Sequence, residues 1–207
     1  AYMNNESTTS SDLWAGKLVL SYPVWKGQLQ AGTEMSFVDR ANHFAMTGYP
    51  IPTTESDIKE QNIAGFLNYA FSVEKFGNLT AGLRYEHVGF DYTDILNPVQ
   101  SISRYTDDFF PSVSWSNQYG KFRTSLAYSA RIARPNYSQL SENINYMNSF
   151  SLEQGNPKLK NEIIYEVSGT VGYQWLNFFA AYERRDNTLT QGAELYNDKG
   201  VIVIRQI

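Results

Sequence analysis

The feature that most constrains this chain is an alternation of apolar and polar residues with a period of two, which returns in segment after segment of its 207 residues. Within residues 28–39, Leu29, Ala31, Thr33, Met35 and Phe37 fall on one side, and Gln28, Gln30, Gly32, Glu34 and Ser36 on the other. Side chains of a strand point to opposite faces in turn, so this is the pattern of a half-buried β-strand and not of a helix. The same rhythm returns with Ile63, Gly65, Leu67, Tyr69, Phe71 and Val73, with Leu79, Ala81, Leu83 and Tyr85, and with Phe122, Thr124, Leu126, Tyr128 and Ile132. Strands are expected over residues 13–21, 28–39, 59–74, 78–92, 107–117, 121–133, 161–173, 177–196 and 201–207. The fold class is therefore all-β: an antiparallel meander of about nine strands, with no helix.

Connection lengths narrow the architecture further. Short turns are expected at Tyr22-Pro23-Val24-Trp25-Lys26-Gly27, Lys75-Phe76-Gly77, Gln118-Tyr119-Gly120 and Gln174-Trp175-Leu176, and another at Asn197-Asp198-Lys199-Gly200. Between them lie long polar or Pro-containing stretches at 40–58, 93–106 and 134–160, and residues 1–12 read as a polar lead-in loop. Alternating short and long connections is the habit of an outer-membrane barrel, with tight turns on one side and large loops on the other. A Greek-key sandwich mixes its connections less regularly.

Composition agrees with strands in contact with lipid. The chain is 15% aromatic, with 15 Tyr and 12 Phe, and only 18% charged; such residues favour strands and membrane-interface girdles. Trp14 and Trp115 fall on the apolar face, and Trp25 and Trp175 in the short turns. The polar face carries Glu34, Arg84, Glu86, Arg123, Arg131, Glu162 and Glu166 among Ser, Thr, Gly and Ala. Under a barrel reading Arg84, Glu86, Arg131, Glu162 and Glu166 face the lumen, where Arg84 with Glu86, and Arg131 with Glu162 and Glu166, form a cross-strand ladder of ion pairs.

Several functions are disfavoured. A net charge of −4 leaves no basic stripe to neutralise phosphates, so no nucleic-acid partner is expected. With no cysteine, disulfides, Cys-based zinc sites and thiol nucleophiles are ruled out. No apolar run reaches 18 residues, which excludes a transmembrane helix but not a barrel. The first residues lack the basic start and apolar core of a signal peptide, so the chain reads as mature or as a fragment. Only His43 and His87 are available for acid–base work, and no nucleophile elbow surrounds Ser101 or Ser103, so no catalytic residue is assigned. Asp91, Asp94, Asp107 and Asp108 could supply calcium ligands, but without the EF-hand spacing they read as solvated loop carboxylates. No metal or cofactor is expected.

One stretch carries a family resemblance. Residues 131–140 read Arg131-Ile132-Ala133-Arg134-Pro135-Asn136-Tyr137-Ser138-Gln139-Leu140, and residues 155–162 read Gly155-Asn156-Pro157-Lys158-Leu159-Lys160-Asn161-Glu162. The pattern Arg131, Arg134, Pro135, Tyr137, Leu140, then Gly155, Asn156, Pro157, Leu159, Glu162, resembles the barrel domain of TonB-dependent outer-membrane receptors, in particular the type common in Bacteroidota. Gly82-Leu83-Arg84-Tyr85-Glu86-His87 and Asp108-Phe109-Phe110-Pro111-Ser112 extend the match to roughly residues 12–207. Asn161 departs from it, since the family often has proline there.

The resemblance implies localisation in a bacterial outer membrane and energised uptake of a scarce or bulky ligand such as a siderophore, glycan or peptide. It implies as partners outer-membrane lipid, a plug domain, further barrel strands and the inner-membrane TonB energy complex, with a surface lipoprotein as a further candidate. Nine is an odd strand count, the end lacks a terminal aromatic, and no plug precedes the first strand. At about 23 residues per strand, a plugged barrel of about 22 strands needs on the order of 500 residues. Residues 13–207 are thus expected to be an interior section of a larger barrel. Ligand contacts are expected in the three long loops, with Tyr137, Asn143, Asn145 and Tyr146 as candidates. Two alternatives stay open: a passive porin-like or structural barrel, and a soluble extracellular β-sandwich that binds carbohydrate.

Overall fold

A computed structural model of the chain describes residues 4–48, 51–148, 150–196 and 200–207. Its main body is one eight-stranded antiparallel sheet formed by β1 (Asn4–Val24), β2 (Gly27–Thr47), β3 (Thr54–Val73), β4 (Gly77–Asp94), β5 (Ile102–Tyr119), β6 (Phe122–Ala133), β9 (Glu162–Tyr173) and β10 (Leu176–Asp186). Each strand pairs with the one before it, except that β9 pairs with β6 across the excursion 134–161. That excursion contributes a helical turn, α1 (Tyr137–Leu140), and two short strands, β7 (Ile144–Asn148) and β8 (Ser151–Gln154). These join β11 (Gln191–Leu195) and β12 (Ile202–Gln206) in a second sheet of order β11-β12-β8-β7, in which β12 runs parallel to β8.

The meander and its short turns are as expected, but the strand count and boundaries are not. The polar lead-in is strand from Asn4, paired residue by residue with the upper half of β2. Most of 40–58 is also strand, because β2 runs on to Thr47 and β3 starts at Thr54, and His43 therefore lies in β2. In 93–106 only 95–101 lies between strands, with a 3-10 turn at Pro98–Gln100. Residues 4–11 hold no apolar residue and are kept extended by ladder hydrogen bonds, whereas in 40–58 the buried Phe44, Ile51 and Ile58 are too widely spaced to show a period. The strand expected over 177–196 breaks after Asp186, where Asn187 takes φ 59°, and the strand expected from Val201 belongs to the second sheet. The turn at Asn197-Asp198-Lys199-Gly200 lies largely outside the described residues.

Register fixes the two faces. One cross-strand row is Leu20, Ala31, Leu67, Leu83 and Pro111, and the row two residues nearer the short turns is Tyr22, Leu29, Tyr69, Ala81, Val113, Tyr128, Val167 and Tyr182. This apolar face is bare: Trp14, Leu67, Phe109, Leu126 and Phe178 are all exposed. From Trp14 to Val24 the band is about 33 Å long at ~3.3 Å per residue, or about 25 Å tall at a barrel-like tilt of ~40°.

The opposite face is covered over its upper half. Ile58, Phe90 and Tyr92 of β3 and β4 pack with Leu140 and Leu159 of the excursion. Phe44 and Ile51 pack with Ile144 and Leu152 and with Val201 and Val203 of the second sheet. The two cores therefore lie between the sheet and its own excursions, away from the turn end. Both sheet edges, β1 and β10, are exposed along almost their whole length.

Candidate functional site

The covered face brings together the charged residues that alternation had placed on one side. Lys17, Glu34, Ala64, Glu86 and Asp108 form one cross-strand row over β1 to β5. Arg84, in the neighbouring row, reaches Glu86 at 2.6 Å and crosses β3 to reach Glu34 at 2.7 Å. Ala64 is the residue it crosses, and only a methyl group stands there. Lys17 continues the chain to Glu34 at 2.5 Å, and Arg134 of the excursion ends it on the second carboxylate oxygen of Glu86. Glu86 is 4% exposed, so its charge is held by two guanidinium groups instead of water.

A second network spans β6, β9 and β10. Arg131 reaches across β9 to Glu183 at 3.3 Å, Arg185 pairs with Glu183 at 2.6 Å, and Arg185 reaches Glu162 at 3.4 Å. The expected grouping of Arg131 with Glu162 and Glu166 is thus corrected. Glu162 is buried and bound from β10, and Glu166 sits on the same face opposite Ser129 and Glu183. Glu183 and Arg185 lie in a segment whose alternation signalled a strand, so the sequence could have supplied both. Arg123 lies lower on this face, beside a hollow of about 480 Å³ lined by Ser116, Ser125 and Thr170.

The family motif proves to be a clasp. Asn136 caps α1 by accepting the amide N–H of Gln139 at 2.9 Å, while the Gln139 side chain accepts from the Asn136 N–H at 2.7 Å, a reciprocal capping box. The second half docks on this turn, with the Asn156 N–H donating to the Gln139 carbonyl at 2.5 Å. The Asn156 side chain accepts from Lys158 N–H at 3.0 Å and donates to the Gln206 carbonyl of β12 at 3.0 Å. Pro135 and Pro157 are buried, and Leu140 and Leu159 share one core. A side chain on Gly155 would run into the carbonyl oxygens of Ser138, Gln139 and Ser141, so only glycine fits that approach. Asn161, the departure from the pattern, accepts from the Asn187 side chain through its carbonyl at 3.3 Å.

The four candidate ligand residues are dispersed. Tyr137 is half-buried beneath Arg40, whose guanidinium lies 5.3 Å from the ring centre, and burial raises its hydroxyl pKa. Asn143 accepts from the Thr54 hydroxyl at 2.6 Å, and Tyr146 packs against the core around Phe44 and Leu152. Asn145 is exposed on β7 opposite Glu153, at the edge of a small hollow of about 70 Å³ shared with Gln154 and Arg205.

The aspartates considered for calcium separate. Asp94 accepts the N–H groups of Leu96 and Asn97 at 2.9 and 2.7 Å, while the successive residues Asp107 and Asp108 point to opposite faces. Among the described residues no cluster of three or more His, Asp or Glu is placed to hold a metal. Nor is any helix among them long and apolar enough to cross a membrane, which says nothing of strands.

A single sheet with a bare apolar face of membrane height, tight turns at one end and folded excursions at the other agrees with the sequence match over residues 1–207. The chain belongs to the outer membrane protein beta-barrel family. It is therefore a protein of the bacterial outer membrane, and the bare face of this barrel wall meets lipid. No curated protein matches its sequence. Among solved structures the copper transporter OprC is similar, with a TM-score of 0.68 at 11% identity over 97% of this chain. The chain spans 34% of OprC. The siderophore receptor PirA from Pseudomonas aeruginosa also aligns, at 13% identity and TM-score 0.37, covering 96% of this chain and 50% of PirA. The likeness to OprC shows the fold, and membership of an outer-membrane barrel family overturns the soluble sandwich.

Proposed function

We propose that this chain forms part of the wall and surface loops of a TonB-dependent receptor that takes up a scarce or bulky ligand by energised transport. The observation that carries this reading is the inner face, where two charged networks stand below an excursion folded back over the upper end of the wall. A passive pore needs a lumen lined by solvated side chains. Here Glu86 and Glu162 are instead buried in fixed ion pairs, as suits a wall that packs against a further domain inside it. The likeness to the fold of a copper transporter supports the same reading, and siderophore, glycan and peptide remain the ligand classes proposed.

The plug domain, the remaining barrel strands, the TonB energy complex and a surface lipoprotein are the partners proposed with it. No hydrolytic role is proposed: His87 contacts Asp107 at 2.7 Å and stacks on Tyr105, on the lipid-facing side of the wall. The test is ligand accumulation by cells with and without the inner-membrane energy complex. Accumulation that requires both this protein and the energy complex supports the receptor, whereas accumulation indifferent to the energy complex would establish the passive barrel.

A further inference from the structure

The lipid-facing side of the wall is not uniformly apolar at its upper margin. One row holds Trp14, Phe37, Gln61, Gly89 and Tyr105, and the next row outward holds Asp12, Asp39, Lys59, Asp91 and Ser103. A groove of about 500 Å³ lies between these rows, within the size range of small-molecule sites, and the Tyr105 ring lies over Gly89 at its border. Its five strands span about 19 Å at ~4.8 Å per step. Trp14 is 77% and Tyr105 68% exposed, so both rings are free to offer a face.

Tyr105 is held in place. A Cβ at Gly89 would stand 3.0 Å from its ring, and the ring lies parallel to the His87 imidazole at 5.8 Å between centres. His87 is fixed in turn by Asp107, which also accepts from the Tyr85 hydroxyl at 2.5 Å. Tyr105 stands in the row where the apolar band of about 25 Å gives way to polar residues, the level at which outer-leaflet headgroups lie, and His87 and Asp107 brace it from the row beneath. Lys59 is the one cation in the outward row and stands 3.8 Å from Asp39, leaving Asp12 and Asp91 as further acceptors.

We propose that this groove binds the neutral or amine-bearing sugar headgroup of an outer-leaflet glycolipid. Ring faces of Trp14 and Tyr105 take the apolar face of a sugar, and the carboxylates accept its hydroxyl or ammonium protons. The same carboxylates repel a phosphate, so the site selects sugar over phospholipid. The acyl chains of the glycolipid then lie along the band beneath, over Met35, Ile63 and Leu67. This rests on the family's membrane placement and not on energised uptake.

The test is native mass spectrometry of the protein purified from its own outer membrane in mild detergent. Three probes are offered: dephosphorylated rough-type lipopolysaccharide, the same molecule fully deacylated, and phosphatidylglycerol. The expected result is one retained copy of the dephosphorylated lipopolysaccharide, with retention at least tenfold lower for the other two probes. Tyr105→Leu combined with Asp39→Asn lowers that retention at least tenfold, while Leu126→Val, on the same face but remote from the groove, leaves it unchanged; if the double variant does not reach the membrane, Trp14→Leu is measured in its place. Equal retention by variant and parent, or equal retention of phosphatidylglycerol, would overturn the site. Equal binding of the deacylated sugar would place its ligand in solution and overturn the lipid assignment.

Discussion

Arg134, the first residue after β6, forms an ion pair with Glu86 on β4, two strands away in the sheet and 48 residues earlier in the chain. The contact joins the excursion to the network of the wall: Arg84 binds Glu86 from the other side, and Glu34 and Lys17 follow. The excursion is therefore anchored by charge at its root as well as by Leu140 and Leu159 in its core.

Removing Arg134 tests that anchor. Arg134→Ala leaves a buried carboxylate with Arg84 as its remaining partner, at a cost of about 2–4 kcal/mol, less than stranding it alone because one guanidinium stays. The excursion then opens more often, and trypsin added to intact cells cuts at the exposed Lys158 and Lys160 at least tenfold faster. Arg134→Lys recovers only part of the protection, since an ammonium lacks the planar fork. Unchanged digestion of Arg134→Ala would show that the root is held by packing alone.

Gly155 provides an independent handle on the same clasp. Gly155→Ala drives a methyl group into three carbonyl oxygens and forces the two halves of the motif apart, at about 1–3 kcal/mol. Gly65→Ala, on the lipid-facing side with nothing within 4 Å, is close to neutral. Thermal unfolding of the two variants, followed by the loss of heat-modifiable mobility on gels, is expected to separate them by several degrees.

Glu142 makes the excursion sensitive to pH. Burial raises its pKa, and the nearby Asp94 raises it further. A carboxyl whose pKa is higher folded than unfolded binds its proton more tightly in the folded state. Its contribution to stability is present below the unfolded pKa and is lost as pH rises through the folded one. Amide exchange over residues 138–156, corrected for intrinsic rates, is expected to slow as pH falls from 7.5 to 5, and Glu142→Gln is expected to flatten that dependence. A dependence unaltered in Glu142→Gln would assign it to another group.

The wall was legible in the sequence because each strand carries its own signal. Leu29 to Phe37 alternate locally, and each short turn lies where the alternation is interrupted. The ends of the strands were not legible. Asn4 to Ser11 contain no apolar residue, and what keeps them extended is pairing with 40–47, a partner that no local pattern reveals. The second sheet was hidden for the same reason: Leu152 meets Val203 in a parallel pair 51 residues apart, and β7 and β8 are too short to show a period. At the candidate site, alternation placed Arg131 on the correct face but could not say that it reaches over β9 to Glu183. The ligand candidates Tyr137, Asn143, Asn145 and Tyr146 stand out because they sit in a long surface loop rich in aromatic and amide side chains. No local pattern shows that Tyr137, Asn143 and Tyr146 also tie that loop to Arg40, Thr54 and the core around Phe44.

Assignment of the two faces can be tested by moving one charge. Leu67 lies near the middle of the bare band and is 50% exposed, so Leu67→Lys places an ammonium against lipid hydrocarbon. Lysine at that depth costs about 2–4 kcal/mol in a barrel. Ser114 lies three residues nearer the short turns than the row of Leu67 and faces the other side, in the row of Thr80 and Ala127. Ser114→Lys is expected to cost less than about 1 kcal/mol, because its charge enters a polar interior. Urea-induced unfolding in lipid vesicles measures both, and an equal cost for the two variants would mean that the bare face does not meet lipid.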